Sequence, residues 1–266
     1  NIVDETIVAQ VKANSIISGK DSDYSNSYTF KVLNSVQNFK HQNGTFSWDK
    51  VESASSYKYK IGVLREEIVD SSVTSFNYDF VNKGTYTFSI RAIGENITDS
   101  EGNVTCYVFD SKPVEIKVTK LSAPENFVFS KIFYWDTPSL TEQLPKGYEI
   151  VEIVDGQENV IASTTQNHYA LPENIAVGNH TYKIRAIGDG INTISSDFSA
   201  SKTVRKLATP TNLRVEDGMV TWDRDANAVS YHLIFMGMFN GKLYTDDFYN
   251  TDKSVNPNLY IDQPTQ

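Results

Sequence analysis

Four histidines, His41, His168, His180 and His232, and a single cysteine, Cys106, are the side chains best suited to nucleophilic, acid–base or metal chemistry in this sequence. They are dispersed. A metal centre needs several ligands at short spacings, and an activated nucleophile needs a base beside it. No HExxH, no GxSxG, no Gly-rich phosphate loop and no Cys–His pair occurs. One thiol cannot form an intramolecular disulfide. The 33 acidic residues make some carboxylate pairs inevitable, which is no argument for glycoside hydrolysis. Asp99 and Glu101 lie in the stretch Glu95 to Thr105, rich in Asn, Asp, Thr and Gly. They carry oxygen ligands for Ca²⁺, but the Asp-x-Asp-x-Asp-Gly spacing of a calcium loop is missing. The sequence therefore predicts no catalysis, no cofactor and no metal. It leaves Asp99 and Glu101 as a solvated loop or a partner contact.

A second group points to recognition. Tyr231-His-Leu-Ile-Phe-Met-Gly-Met-Phe239 is followed by Tyr244, Phe248 and Tyr249. On a strand with period two, Tyr231, Leu233 and Phe235 face a core, and Ile234, Met236 and Met238 face outward. An apolar outer face reads as a protein interface, and methionine adapts to varied surfaces. Aromatic rings at Tyr244, Phe248 and Tyr249 also suit stacking on sugars. A β-bulge that turns these residues inward is the structural alternative.

The elements that position these residues announce themselves by repetition. Tyr182-Lys-Ile-Arg-Ala-Ile-Gly188 recurs as Phe88-Ser-Ile-Arg-Ala-Ile-Gly94, and more weakly as Ala9-Gln-Val-Lys-Ala-Asn-Ser15. Each alternates apolar and polar residues, as a strand with one buried face does. Trp48, Trp135 and Trp222 are spaced by 87 residues and each precedes an aspartate, Asp49, Asp136 or Asp223. Asn38, Asn126 and Asn212 open the strands upstream. A fixed period marks tandem modules, and this one is long enough for an independent β-sandwich. Lys120-Leu-Ser-Ala-Pro124 and Lys206-Leu-Ala-Thr-Pro210 read as short linkers between modules. They are expected to hold neighbours end to end in a semi-rigid string, with proline stopping any strand ladder from crossing.

Composition agrees. The 266 residues allow two or three domains, and 39% hydrophobic content gives them cores. Many Tyr, Phe, Val, Ile and Thr favour strands. A net charge of −9, with Lys and Arg scattered, lacks the footprint of a nucleic-acid binder. An acidic surface is repelled by anionic lipid, and no apolar run is long enough for a membrane helix. The stretch from Asn1 shows no secretory signal pattern, so a mature form, an excised fragment or an internal piece is expected.

The pattern resembles the fibronectin type III module: Trp on the second strand, Tyr on the third, and Gly84-Thr-Tyr86-Thr-Phe-Ser-Ile-Arg-Ala92 near the end. The resemblance implies an all-β chain of tandem antiparallel seven-stranded β-sandwiches, laid end to end. It implies a tyrosine corner at Tyr86, whose place His180 takes in the second repeat. The linker wording is similar to tandem modules in surface proteins of Gram-positive bacteria. The expected role is a non-catalytic extracellular spacer or adhesion segment of a bacterial surface protein, contacting protein or glycan. The alternative is a carbohydrate-binding accessory region of a secreted glycoside hydrolase.

Four segments follow. Residues 1–31 align with the last two strands of a preceding or split module, 32–119 and 120–206 are complete modules, and 207–266 holds the first strands of a third, with a fifth strand over Asn258 to Asp262. The incomplete ends read either as a slice of a longer repeat protein or as halves that join head to tail between molecules.

Overall fold

Alternating side chains make strands throughout. The computed structural model describes residues 6–63, 65–137, 144–239, 242–250 and 254–255, and among them every regular element is β. The Asn258 to Asp262 expectation lies outside the described residues.

A hairpin of β1 (Thr6–Ala9) and β2 (Tyr28–Val32) comes first. The first module contains β3 (Lys40–Gln42), β4 (Thr45–Ser47), β5 (Ser56–Ile61), β6 (Arg65–Asp70), β7 (Ser75–Asn77), β8 (Gly84–Ile93), β9 (Ile97–Thr98), β10 (Val104–Phe109) and β11 (Val114–Lys120). The second contains β12 (Glu125–Ser130), β13 (Ile132–Asp136), β14 (Gly147–Val154), β15 (Gln157–Thr164), β16 (His168–Tyr169), β17 (Gly178–Ile187), β18 (Thr193–Ile194) and β19 (Lys202–Lys206). The third unit shows β20 (Thr211–Glu216), β21 (Met219–Asp223), β22 (Tyr231–Phe239), β23 (Lys242–Asn250) and β24 (Ser254–Val255).

The sheets repeat in step. Three strands pair in the order β3-β4-β7, then β12-β13-β16, then β20-β21-β24. Against these stand β6-β5-β8-β11 in the first module and β15-β14-β17-β19 in the second. Each intact module is thus a seven-stranded sandwich with its core between the two sheets. In the third unit β22 and β23 pair, and among the described residues no strand lies on the other edge of β22.

The recurring landmarks have physical causes. Asn38, Asn126 and Asn212 have φ of 51, 52 and 53°, in the left-handed region that asparagine tolerates. Their side-chain amides donate to Asp49, Asp136 and Asp223 at 2.6, 2.6 and 2.5 Å. The Asn and the Trp-Asp pair of each repeat are therefore one device, which bends the chain into the first strand pair. Replacing Asn126 with alanine removes the hydrogen bond and places an ordinary residue in left-handed backbone. We expect a loss of about 2 kcal/mol from the second module, read by chemical denaturation, with Asn126→Gly losing less.

The tryptophans occupy like surroundings. Their rings lie 5.4, 5.2 and 5.2 Å from Tyr57, Tyr148 and Tyr231, tilted by 69, 65 and 63°. All three indole Nε1 atoms are buried without a hydrogen-bond acceptor. Around Trp48 the first core gathers Phe46, Phe88 and Ile90, and around Trp135 the second gathers Phe133, Ile150 and Ile184.

The motif glycines are explained by close approach. A Cβ on Gly94 would lie 2.3 Å from the Val108 carbonyl oxygen, and one on Gly188 2.5 Å from that of Thr193. In both modules the chain returns across the end of the Ile-Arg-Ala-Ile-Gly strand, and only glycine leaves room for it.

One local expectation is corrected. Glu95 to Thr105 is not an open loop: β9 and β10 pair as a hairpin. Asp99 makes its turn, accepting from the backbone N–H groups of Glu101 and Asn103, both at 2.9 Å. Gly62 turns the chain at φ 58° after β5, which leaves Val63 exposed.

Candidate interaction surface and module junctions

The junctions were not legible as such in the linkers, and they are built from backbone and side-chain hydrogen bonds. The segment that returns after Gly188 adds β18 as an extra parallel strand to β11 of the preceding module, with Thr119 opposite Thr193 and Lys120 opposite Ile194. Thr119 N–H donates to Asn192 O at 2.9 Å and Leu121 N–H to Ile194 O at 3.0 Å. The sheet therefore crosses the joint, contrary to the expectation that proline in the linker would stop it. Pro124 lies beyond the pairing, whose donors are supplied by Thr119 and Leu121.

The same joint is built upstream. β10 pairs in parallel with β2, Tyr107 opposite Phe30 and Phe109 opposite Val32, and Leu33 N–H donates to Phe109 O at 3.1 Å. Leu33 and Leu121 correspond, and both are buried in the core of the module that follows.

Three further groups lock the joint between the two modules. His41 is buried; its Nδ1 lies 2.6 Å from Ile191 O, and its Nε2 accepts from Gly44 N–H at 2.8 Å. The proton therefore sits on Nδ1 and is donated across the joint. Asn43 N–H donates to Gly190 O at 2.7 Å. Lys120 Nζ donates to the carbonyls of Phe80 and Val81 at 2.6 and 3.2 Å and pairs with Asp197 at 2.8 Å.

Asp189 shapes the turn that presents β18. Its Oδ1 accepts from the N–H groups of Ile191, Asn192 and Thr193, each at 2.8 Å. Burial pushes this carboxyl up, but the donors from Thr193, Ile191 and Asn192 outweigh it and hold it at about 2. The turn thus keeps its carboxylate at every pH above that value.

His180 does take the tyrosine's place at the corner. Tyr86 Oη donates to Asn82 O at 2.7 Å, and His180 Nε2 lies 2.8 Å from Ala176 O, also four residues upstream. Its Nδ1 is 2.6 Å from Glu152 Oε1. Both ring nitrogens face acceptors, so the imidazolium form fits best. The Glu152 carboxylate, then the Ala176 carbonyl, hold the His180 pKa above its ordinary value. A raised pKa adds stability that is complete below the ordinary histidine value of about 6.5 and is lost as pH rises through the folded-state value. We expect the second module to unfold more easily at pH 8 than at pH 6, and His180→Tyr to flatten that slope.

The third unit carries an apolar exposed strip. β22 and β23 pair without a register shift, which leaves no bulge to turn residues inward. Tyr231 is buried and Leu233 and Phe235 pack on the Trp222 cluster, while Ile234, Met236, Met238, Leu243 and Tyr249 are exposed. Tyr249 stacks on His232 at 4.6 Å. The register sets Tyr244 opposite Gly237 and Phe248 opposite Leu233; the side chains of Tyr244 and Phe248 lie outside the described residues. The equivalent faces of the intact modules are ion-paired: Lys58 and Lys60 meet Glu66, and Arg185 meets Glu149. Asp99 and Glu101 sit far along the chain from this strip, in the turn of the β9–β10 hairpin.

The modules are fibronectin type III-like. Trp on the second strand, Tyr on the third, the corner at Tyr86 and the three-plus-four strand order carry that statement. No family model matches the chain, and no curated protein does. Among solved structures, a two-domain fibronectin type III segment of chicken tenascin matches at 16% identity, covering 65% of this chain and 97% of its own, with a TM-score of 0.30. The FN1–FN3 domains of chicken CNTN1 match at 13% identity, covering 84% and 87%, with a TM-score of 0.27.

Among the described residues no group of His, Cys, Asp and Glu could hold a metal, and no helix is long and apolar enough to cross a membrane.

Proposed function

We propose that this chain is a non-catalytic spacer and adhesion segment of an extracellular surface protein, with module boundaries near residues 32, 120 and 207. The observation that carries this reading is the joint. The same parallel strand addition is made twice, at β2–β10 and at β11–β18, with the same leucine donor. A flexible tether needs no such construction, since short polar linkers alone serve it. A spacer that holds an attached domain at a set distance does need it. The exposed strip on β22 and β23 suits a protein partner.

Small-angle scattering of the whole chain tests the reading. A single extended conformation accounts for the profile if the joints are fixed. A profile that requires a broad ensemble of module orientations contradicts it.

A further inference from the structure

We propose that Asn43 is a deamidation site that makes opening of the joint between the two intact modules permanent. Asn43 and Gly44 are the central residues of the turn from β3 to β4, with Gln42 opposite Thr45. Their φ values of 47 and 89° are those of the tight hairpin turn that Asn-Gly favours. The same dipeptide suits cyclisation, because no side chain on glycine hinders its amide nitrogen. Gly44 N bonds to Asn43 Cγ, the Cγ–Nδ2 bond breaks, and ammonia leaves with the proton that Gly44 N gives up. Water then opens the cyclic imide at either carbonyl. One opening gives aspartate. The other gives isoaspartate, in which the main chain runs through the side-chain carbonyl. No oxidant or reductant is needed, and Asn43 is exposed to water.

In the closed joint this reaction is blocked. Gly44 N has to swing onto the side chain of Asn43, and the groups that must move are tied. Gly44 N–H donates to His41 Nε2 at 2.8 Å. Gly44 O accepts from Tyr78 N–H at 2.8 Å, and Asn43 N–H donates across the joint to Gly190 O at 2.7 Å. Asn43 Oδ1 rests on Gly190, where a Cβ would collide with it. His41, which accepts the Gly44 hydrogen, is itself held across the joint through Nδ1 and Ile191 O. The second module therefore holds both Asn43 and His41, and withdrawing it frees the turn.

Either product bars reclosure. Aspartate at position 43 puts a carboxylate where a neutral amide met Gly190, beside a turn whose Asp189 is already ionised. Isoaspartate adds a methylene to the main chain of a two-residue turn, which shifts the pairing of Gln42 with Thr45.

Peptide mapping by mass spectrometry, with the full 266-residue chain held folded at mildly alkaline pH, tests this. The map separates Asn43 from Asn240, which also precedes a glycine. The chain unfolded in denaturant gives the rate of the free dipeptide. In the folded parent Asn43 is expected to react at least about tenfold more slowly, in proportion to how rarely the joint opens. Gly188→Val, which displaces the clasping strand, is expected to restore most of the free rate. Asn43→Asp, made directly, is expected to speed exchange at Thr119 and Leu121 while residues 56–61 stay protected. Slow exchange at Thr119 and Leu121 in the parent reports the joint that carries the spacer reading, separately from the chemistry at Asn43. Slow exchange there with Asn43 reacting at the free rate overturns this proposal and leaves that reading standing. A Gly188→Val chain with an open joint and an unreactive Asn43 overturns it too. So does an Asn43→Asp chain whose joint amides exchange as slowly as the parent's.

Discussion

Gly188→Val is expected to lower the stability of the second module by about 3 kcal/mol or more and to open the joint to the first. The glycine lies where the returning chain crosses the Ile-Arg-Ala-Ile-Gly strand. A Cβ there meets Thr193 O at 2.5 Å, Thr193 C at 2.7 Å and Ile194 C at 2.8 Å. These are backbone atoms and cannot swing aside as a side-chain tip can. The returning segment has to move, and it is β18, the strand added to β11. The substitution therefore strains the second module and removes the acceptors for Thr119 and Leu121 together. Native-state hydrogen exchange resolved by peptide reads both effects. Faster exchange is expected around 184–196 and at 117–121, while 56–61 in the first core keeps its protection. A variant as stable as the parent, with the joint still protected, contradicts the close-approach argument.

Lys120→Met is expected to cost the first module about 2–3 kcal/mol. The ammonium group is nearly buried and is the donor to the Phe80 and Val81 carbonyls. Methionine keeps most of the packing and removes the donor, leaving the buried Phe80 carbonyl without this partner. The Asp197 contact adds little to this figure, because Asp197 is well exposed and solvates readily once the lysine is gone. Chemical denaturation gives the size of the loss. If it matches that of a surface lysine change such as Lys112→Met, the buried-donor account is wrong.

Much of the fold was legible because its signals are local. Period-two alternation places β5, β8 and β17. The tryptophan beat finds the repeats because each ring must fill one large site against one tyrosine, and few residues can substitute for it. The Asn and Asp landmarks were visible as recurrences, and the structure supplies their cause in a left-handed residue tied to the next strand. The corner at His180 was legible for the same reason, since the histidine and tyrosine contacts both span four residues.

The joint was not legible because its partners are distant and its spacing varies. Ala92 and Ser111 are 19 residues apart, Ala186 and Ser196 are 10, and Ala13 and Ser22 are 9. The serine recurs, but the insertion that became the β9–β10 hairpin hides its alignment. Ser22-Asp-Tyr-Ser25 aligns with Ser196-Asp-Phe-Ser199, and it is Ser111 in the first module that the insertion takes out of that register. The linker proline was also misleading. It ends one ladder only where its missing N–H would have been used, and the pairing that crosses the joint draws its donors from the residues before it.

The ordering of the candidate surface followed from parity. Ile234, Met236 and Met238 alternate with Tyr231, Leu233 and Phe235, and the unshifted register preserves that alternation along the strand. The contrast with Lys58 and Lys60 on the same face of the first module is legible too; their pairing with Glu66 across strands is not.

Amide exchange at Thr119 and Leu121 tests the central claim, that neighbouring modules share a strand, more directly than any other measurement. Both N–H groups are predicted to exchange as slowly as core amides, and to open only when one of the two modules unfolds. Exchange at the rate of an exposed linker, in a chain whose modules remain folded, would show that no strand is shared and that the joint is a simple tether.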